Sequence, residues 1–293
     1  MKITVGIPAF NEEKNISDII QKLSKICDTV IVCNDGSTDD TGNIAKKMGA
    51  IVITHEQNLG YGVAIRSLFL KARELDSDML VTLDSDGQHR ISDILPVIDP
   101  IIKNQADLVI GSRFLEDNQE DMPKYRKIGI KMITSLANSS LEHSVSDSQS
   151  GFRAYGKNVL SEITPSENGM GVSNEILIKV SKKGFKIVEV PIVVSYEGDT
   201  STQNPISHGA SVTLSTLKFI SIDHPLKFYG IPGLVFLVIG LIFTVMTIQG
   251  FTETRQILLG TAVIGVGTII FGTVLLMTSI LLFSIVNLIR EKN

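Results

Sequence analysis

Short apolar, β-branched runs alternate with amphipathic helical patterns over the first 110 residues, which predicts an α/β domain with an open, mostly parallel sheet and helices on both faces. The runs are Lys2 to Ile7, Thr29 to Cys33, Ala50 to Thr54, Met79 to Leu83 and Leu108 to Ile110. The helical patterns fall near Glu12 to Ile26, Asp39 to Met48, Gly62 to Glu74 and Ser92 to Ile102. Charge distribution supplies the second observation: from Phe228 to Ile289 only Glu253 and Arg255 are charged. Tyr229 to Gly250 and Gln256 to Ile289 each exceed the ~20 residues that a spanning helix needs, so two C-terminal transmembrane helices are expected. Lys218 and Lys227 precede them and Arg290 and Lys292 follow, which by the positive-inside rule puts both ends and the soluble part in the cytoplasm.

The expected division is residues 1–204 as the soluble domain, 205–225 as an amphipathic juxtamembrane helix and 226–293 as the hairpin. Ala210, Leu214, Leu217 and Ile220 share one face of that helix, which suits a membrane interface or a protein core equally. Arg126 to Leu141 carries Ile130, Met132, Ile133, Leu136 and Ala137 at helical spacing and fits either a cover for the sheet or a helix skimming a membrane. Gly151 to Tyr155 and Lys186 to Val194 read as further strands, with Val172 to Ser181 a helix between them.

Composition narrows the function classes. A net charge of -4 over 293 residues offers no basic face able to replace phosphate counterions, so no nucleic acid is expected as a partner. Cys27 and Cys33 lie in or beside an apolar run without a metal-ligand neighbour and read as reduced core residues of a cytosolic domain. The N-terminus runs straight into a strand-like segment and lacks the pattern of a signal peptide.

Three polar loops follow predicted strands, where open α/β sheets bind ligands: Pro8 to Glu12, Asn34 to Asp39 and Asp84 to Gln88. Asp84 and Asp86 are two residues apart and repel each other unless a cation intervenes. Oxygen ligands suit Mg²⁺ or Mn²⁺, which usually bridges to substrate phosphates. A solvated turn is the alternative for an isolated pair of this kind; the two neighbouring loops favour a site. Ser37, Thr38 and Asp39 are explained by capping the next helix, whereas Asp35 sits too early to cap and is left for hydrogen bonding a nucleoside. Gln57 to Gly62 lacks the third glycine of a dinucleotide fingerprint.

Taken in order, Pro8-Ala9-Phe10-Asn11-Glu12-Glu13, Asn34-Asp35-Gly36-Ser37-Thr38-Asp39, Asn58-Leu59-Gly60-Tyr61-Gly62, Asp84-Ser85-Asp86-Gly87-Gln88, Gly111-Ser112-Arg113-Phe114 and Gln149-Ser150-Gly151-Phe152-Arg153 resemble family 2 glycosyltransferases, in particular the dolichyl-phosphate (polyprenyl-phosphate) sugar synthases. The resemblance implies a GT-A-like fold over about residues 1 to 225, a nucleotide sugar donor and a polyprenyl or dolichyl phosphate acceptor in a lipid membrane. It implies that Pro8, Asn11, Glu12 and Asp35 hold the nucleoside, that Asp84 lies near ribose and diphosphate, and that Asp84, Asp86 and Gln88 serve the Mg²⁺ or Mn²⁺ ion. Arg113, Arg126 and Arg153 become candidates for phosphate contacts, each with an alternative as a surface residue lying on the core. Many family members carry a basic residue after the segment matching Pro191-Ile192, and Val193 to Thr200 has none.

A lipid monophosphate, with a second ionisation near ~6, is already an anionic nucleophile at neutral pH, so the resemblance requires no general base. Glu175 and Asp147 are kept as acceptor-side carboxylates or ion-pair residues. Competing readings are transfer to a sugar hydroxyl, which needs a base, and a catalytically silent nucleotide-binding scaffold. UDP-glucose or UDP-N-acetylglucosamine is the expected donor, GDP-mannose the runner-up.

Overall fold

A computed structural model describes residues 1–116, 122–194, 225–256 and 258–291, with isolated helical positions between 214 and 222. The chain divides into two compact units, Met1–Thr216 and Leu217–Asn293, so the division falls inside the segment expected as a juxtamembrane helix. Most of that segment lies outside the described residues.

The first unit is built on seven strands: β1 (Ile3–Ala9), β2 (Thr29–Asn34), β3 (Ile51–Thr54), β4 (Met79–Thr82), β5 (Leu108–Ser112), β6 (Arg153–Gly156) and β7 (Ile187–Pro191). They form one sheet in the order β3-β2-β1-β4-β6-β5-β7. All pairings are parallel except those of β6, which runs antiparallel to both β4 and β5. The reversed strand was absent from the sequence expectation, because alternation of apolar residues carries no direction. It matters for position: Arg153, the first residue of β6, pairs with Thr82 and Ile110 near the carboxyl ends of β4 and β5. The segment leading into β6 is thereby delivered to the same sheet edge as the loops after β1, β2, β4 and β5.

Side chains alternate between the faces as a pleated sheet requires. On one face Val5, Ile7, Val32, Val81 and Val109 pack with helices α1 (Ile16–Leu23) and α4 (Ile94–Ile102). On the other, Ile31, Cys33, Leu80 and Ile110 pack with α3 (Tyr61–Glu74), α6 (Lys157–Glu162) and α7 (Val172–Lys182). Helix α2 (Thr41–Lys47) contributes Ala45 to the first cluster, and α5 (Lys124–Asn138) follows β5. Cys27 and Cys33 are free thiols, and burial pushes them up to about 11 and about 12 respectively, so both stay protonated and inert at neutral pH.

The second unit is a helical hairpin, α8 (Ile231–Thr254) and α9 (Leu259–Glu291), preceded by a π-helical turn over Leu226–Gly230. The first helix runs four residues beyond its expected end and stops at Arg255, which takes a left-handed conformation with φ 58°. Both helices are long and apolar enough to cross a membrane, and most of their large side chains face outward. Their contact is made where side chains vanish: a Cβ on Gly272 would stand 2.7 Å from the Gly233 carbonyl oxygen, so only glycine lets the backbones approach this closely. Thr247 also donates to Thr261 at 2.8 Å across the hairpin.

Candidate active site

Successive strands β1, β2 and β3 step one way across the sheet, and β4 returns to the other side of β1. The crevice between β1 and β4 is therefore a topological switch point, where open α/β sheets receive ligands. The loops flanking it are tied to one another. Asn11, held at φ 57°, donates its N–H to Ser37 Oγ at 3.0 Å, and its Oδ1 accepts from Thr38 N at 2.8 Å. Glu12 N donates to Thr41 Oγ1 at 2.8 Å, and Glu13 N donates to Asp39 Oδ2 at 3.2 Å. Ser37 and Thr38 thus do not cap α2 as the sequence suggested. They fasten the loop after β1 to the loop after β2, with Pro8 buried beneath.

Asp35 is 4% exposed and engaged on both oxygens. Oδ1 accepts from Leu59 N at 3.0 Å and lies 2.6 Å from His55 Nδ1, while Oδ2 accepts from Gly60 N at 2.9 Å. His55 Nε2 in turn meets Ser67 Oγ at 2.9 Å. The geometry of an Asp-His-Ser relay is present, but Ser67 lies within α3. Main-chain N–H groups of a helix interior are spent on the helix and offer no oxyanion site. In this structure Asp35 organises the Leu59–Gly60 turn at the start of α3, and a nucleoside contact through it would be an additional bond.

The acidic pair lies across the crevice. Tyr61 donates to Asp84 Oδ1 at 3.2 Å, and His89 Nε2 stands 3.6 Å from Asp84 Oδ2. Burial alone would raise Asp84, but the neighbouring His89 and the bond from Tyr61, with the charge of Arg113, outweigh it and hold the carboxyl below its ordinary value. Asp86 moves the other way, raised first by burial and then by the charge of Asp84. Its Oδ1 accepts from Gln88 N at 3.0 Å, which fixes the turn, and Gln88 is buried. Glu12 is raised too, by burial first, with Asp86, Asp39 and Asp84 adding to it. Three carboxylates thus press on one region, and a divalent cation would relieve that repulsion. Among the described residues no three His, Cys, Asp or Glu side chains form a closed metal cage. The donor set fits an ion completed by ligand oxygens, as Mg²⁺ and Mn²⁺ sites commonly are.

Three residues of this region escaped the sequence reading as site residues: Tyr61, His89 and Gly151. A Cβ on Gly151 would stand 2.7 Å from Asp84 Oδ1 and 2.8 Å from the Tyr61 hydroxyl, so the residue must be glycine for Asp84 to lie where it does. His89 Nδ1 is buried without a hydrogen-bond partner, and the ring meets Phe152 edge-on at 5.2 Å. Each is next to or within a quoted motif; only their proximity to Asp84 was invisible.

The arginines separate into different roles. Arg126 lies in the first turn of α5, is exposed, and its charge reaches Asp86. Arg113 reaches Asp84 electrostatically and makes a two-pronged pair with Asp147, Nε to Oδ2 at 2.7 Å and Nη2 to Oδ1 at 2.8 Å. Arg153 departs from the expected phosphate contact. It is 1% exposed and donates to three main-chain carbonyls at 2.8 Å, those of Ser148, Ser150 and Ser173. That spends the faces of the guanidinium on joining the turn before β6 to α7, so a phosphate would have to displace them. Glu175 is likewise consumed: it accepts from the N–H groups of Ser166 and Glu167 and pairs with Lys179 at 2.6 Å. The segment Ser195 to Thr200, where the missing basic residue was noted, lies outside the described residues.

A mostly parallel α/β sheet with an aspartate pair at its switch point has the architecture of a GT-A-type glycosyltransferase. The chain belongs to glycosyl transferase family 2, whose model matches residues 4–164. It is 34% identical over 232 residues to the UDP-N-acetylglucosamine--dolichyl-phosphate N-acetylglucosaminyltransferase of Methanococcus voltae, covering 71% of this chain and 89% of that one. It is also 34% identical over 218 residues to the dolichyl-phosphate hexose transferase of Haloferax volcanii, covering 74% and 92%. Among solved structures, glucosyl-3-phosphoglycerate synthase from Mycobacterium tuberculosis, bound to Mn²⁺ and UDP-glucose, shares the fold with a TM-score of 0.57 and 24% identity, covering 75% of this chain and 78% of that one. The protein is therefore a glycosyltransferase with dolichyl-phosphate sugar transferases among its relatives.

Proposed function

We propose that the enzyme is anchored by its helical hairpin and transfers a hexosyl unit from a nucleotide sugar to a polyprenyl or dolichyl phosphate on the cytoplasmic side of a membrane. UDP-glucose or UDP-N-acetylglucosamine is the favoured donor, in line with the relatives, and GDP-mannose the alternative. The observation that carries this reading is an acid-lined crevice in which, among the described residues, the two carboxylates weighed as a base are committed to other partners. Asp147 and Glu175, the carboxylates weighed for that role, are committed to Arg113 and to the Ser166–Glu167 turn with Lys179, and Asp147 is held below its ordinary value despite burial. An acceptor that brings its own negative charge needs no base.

In this reading Pro8, Asn11, Glu12 and Asp35 form the nucleoside side of the crevice, and Asp84, Asp86 and Gln88 would hold Mg²⁺ or Mn²⁺. The cation, when bound, supplies positive charge to the departing diphosphate. Arg113 and Arg126 orient the acceptor phosphate, Arg126 from an exposed position in the first turn of α5. A phosphate oxygen forms the bond to the anomeric carbon as the bond to the nucleotide diphosphate breaks, which inverts that carbon. Tyr61, His89 and Gly151 position Asp84.

A donor panel with polyprenyl phosphate, read by mass spectrometry of the organic phase, tests this directly. A hexosyl-phosphoryl lipid is expected; label that enters only water-soluble glycans would overturn the lipid acceptor. The acid limb of the rate profile should follow the second ionisation of the acceptor, near ~6, and shift with a phosphonate acceptor of different acidity. A limb that stays fixed across acceptors and disappears in Glu175→Gln or Asp147→Asn would make that carboxylate the base. Removing residues 226–293 should leave nucleotide binding intact, because every strand-end loop precedes them, and should reduce transfer to long-chain acceptors more than to a short soluble analogue.

A further inference from the structure

Strand β3 pairs Thr54 with Asn34 of β2, so His55 and Asp35 are the next residues along the two neighbouring chains. The His55 N–H continues the parallel ladder by donating to the Asn34 carbonyl at 3.0 Å, and the imidazole is thereby set beside Asp35. Asp35 Oδ1, 2.6 Å from His55 Nδ1, can only accept, so Nδ1 carries the hydrogen. The far side of the ring is held too: Nε2 lies 2.9 Å from Ser67 Oγ on α3 and 3.7 Å from Cys33 Sγ. The His55 side chain is 10% exposed. It reaches neither the acidic pair nor the arginines, and its effect falls on Asp35.

A carboxylate has about four lone-pair positions at which donors can bind. The Leu59 N–H and His55 Nδ1–H fill both positions of Oδ1, at 3.0 and 2.6 Å, and the Gly60 N–H takes one of Oδ2 at 2.9 Å. Among the described residues these are the only donors to the carboxylate, so one position on Oδ2 remains, on a residue that keeps 4% of its surface exposed. We propose that His55 is a positioning residue for the donor nucleotide: by closing Oδ1 it leaves Asp35 a single acceptor, which selects a base presenting one N–H, uracil, over one presenting two, guanine. The inference rests on Asp35 lying at the nucleoside end of the crevice, and it separates the two donor classes named for the enzyme. Uracil offers its N3–H between two carbonyl oxygens. Guanine offers N1–H and N2–H side by side and needs both carboxylate oxygens; with Oδ1 closed, its second donor would be left without a partner.

Nucleotide affinity is read by calorimetry on the full-length protein in detergent with Mn²⁺, without acceptor, using UDP and GDP as probes. The wild type should bind UDP at least about thirtyfold more tightly than GDP. His55→Ala opens Oδ1 and lets the carboxylate turn, so UDP should weaken about tenfold while GDP holds or tightens, narrowing the ratio to about threefold. His55→Asn returns an N–H near the Nδ1 position and should restore most of the ratio. Ser67→Ala leaves the ring in place without its far partner and should narrow the ratio about threefold, which keeps the test open if His55→Ala does not fold. Equal weakening of UDP and GDP in His55→Ala, or a ratio that His55→Asn does not restore, would make His55 a structural residue and overturns the proposal. A wild type that binds both nucleotides alike overturns it too. Asp35→Ala tells the two readings apart. Loss of UDP binding there, beside an unchanged ratio in the His55 and Ser67 variants, overturns the selection and leaves Asp35 on the nucleoside; UDP affinity indifferent to Asp35→Ala overturns both.

Discussion

In the proposed reading, Asp86→Ala should lower transfer by on the order of 10²-fold or more, because it removes a ligand of the cation whose positive charge would meet the departing diphosphate. The same position should show the opposite sign in stability. The folded-state ionisation of Asp86 is raised, by burial and then by Asp84. Such a group favours the fold only below the unfolded carboxylate value of about 3.9 and loses that contribution as pH rises through its folded value. At neutral pH the charged Asp86 is therefore a burden that bound cation relieves. In chelator, Asp86→Asn should melt at or above the temperature of the wild-type protein, and Mn²⁺ should stabilise the wild type but not the variant. A thiol-reactive dye reporting exposure of buried Cys33 gives the melting curve. Retention of more than about a tenth of activity at saturating Mn²⁺ would remove Asp86 from the cation site. A variant less stable than wild type in chelator would make it a structural turn residue.

What was legible in the sequence follows from local chemistry. Apolar β-branched runs announced β1 to β5, and the polar residues just past β1, β2 and β4 marked one sheet edge, because a strand end and its loop are neighbours in the chain. The uncharged C-terminal stretches announced α8 and α9 for the same reason. The direction of β6 was not legible, since period-two alternation is identical in both directions. Nor were partners distant in the chain. Ser37 and Thr38 have the composition of a helix cap, yet the groups they satisfy belong to Asn11, 26 and 27 residues away.

Arg153 shows the limit most clearly. An arginine in a motif looks the same in sequence whether it faces a phosphate or crosses the core, and the three carbonyls that claim it come from the turn before β6 and from the start of α7. Gly151 was quoted only as part of a motif, although its missing side chain is what leaves room for Asp84 and Tyr61. Asp35 was correctly separated from the helix caps by its position, but its commitment to Leu59, Gly60 and His55 depends on a loop more than 20 residues further on.

Asp147→Ala should be the most destabilising single change near the site. Asp147 is fully buried, and removing it takes both carboxylate bonds from the Arg113 guanidinium, itself 8% exposed, at a cost of ~3–5 kcal/mol. That is a large part of the ~5–15 kcal/mol that usually separates folded from unfolded chains. The pH dependence has a definite sign. Asp147 is lowered in the fold: burial opposes this, and the charge and hydrogen bonds of Arg113 outweigh it. Its contribution is then present above the unfolded carboxylate value and lost as pH falls through the folded one, so wild-type and variant melting curves should converge in acid. Replacing both partners, Arg113→Met with Asp147→Leu, removes the buried charge that has lost its carboxylate and should recover much of the stability. It should not recover transfer, because Arg113 is assigned to the phosphate as well as to Asp147. A stable double variant with wild-type kcat and acceptor KM would reduce Arg113 to a structural partner and leave Arg126 alone on the acceptor side.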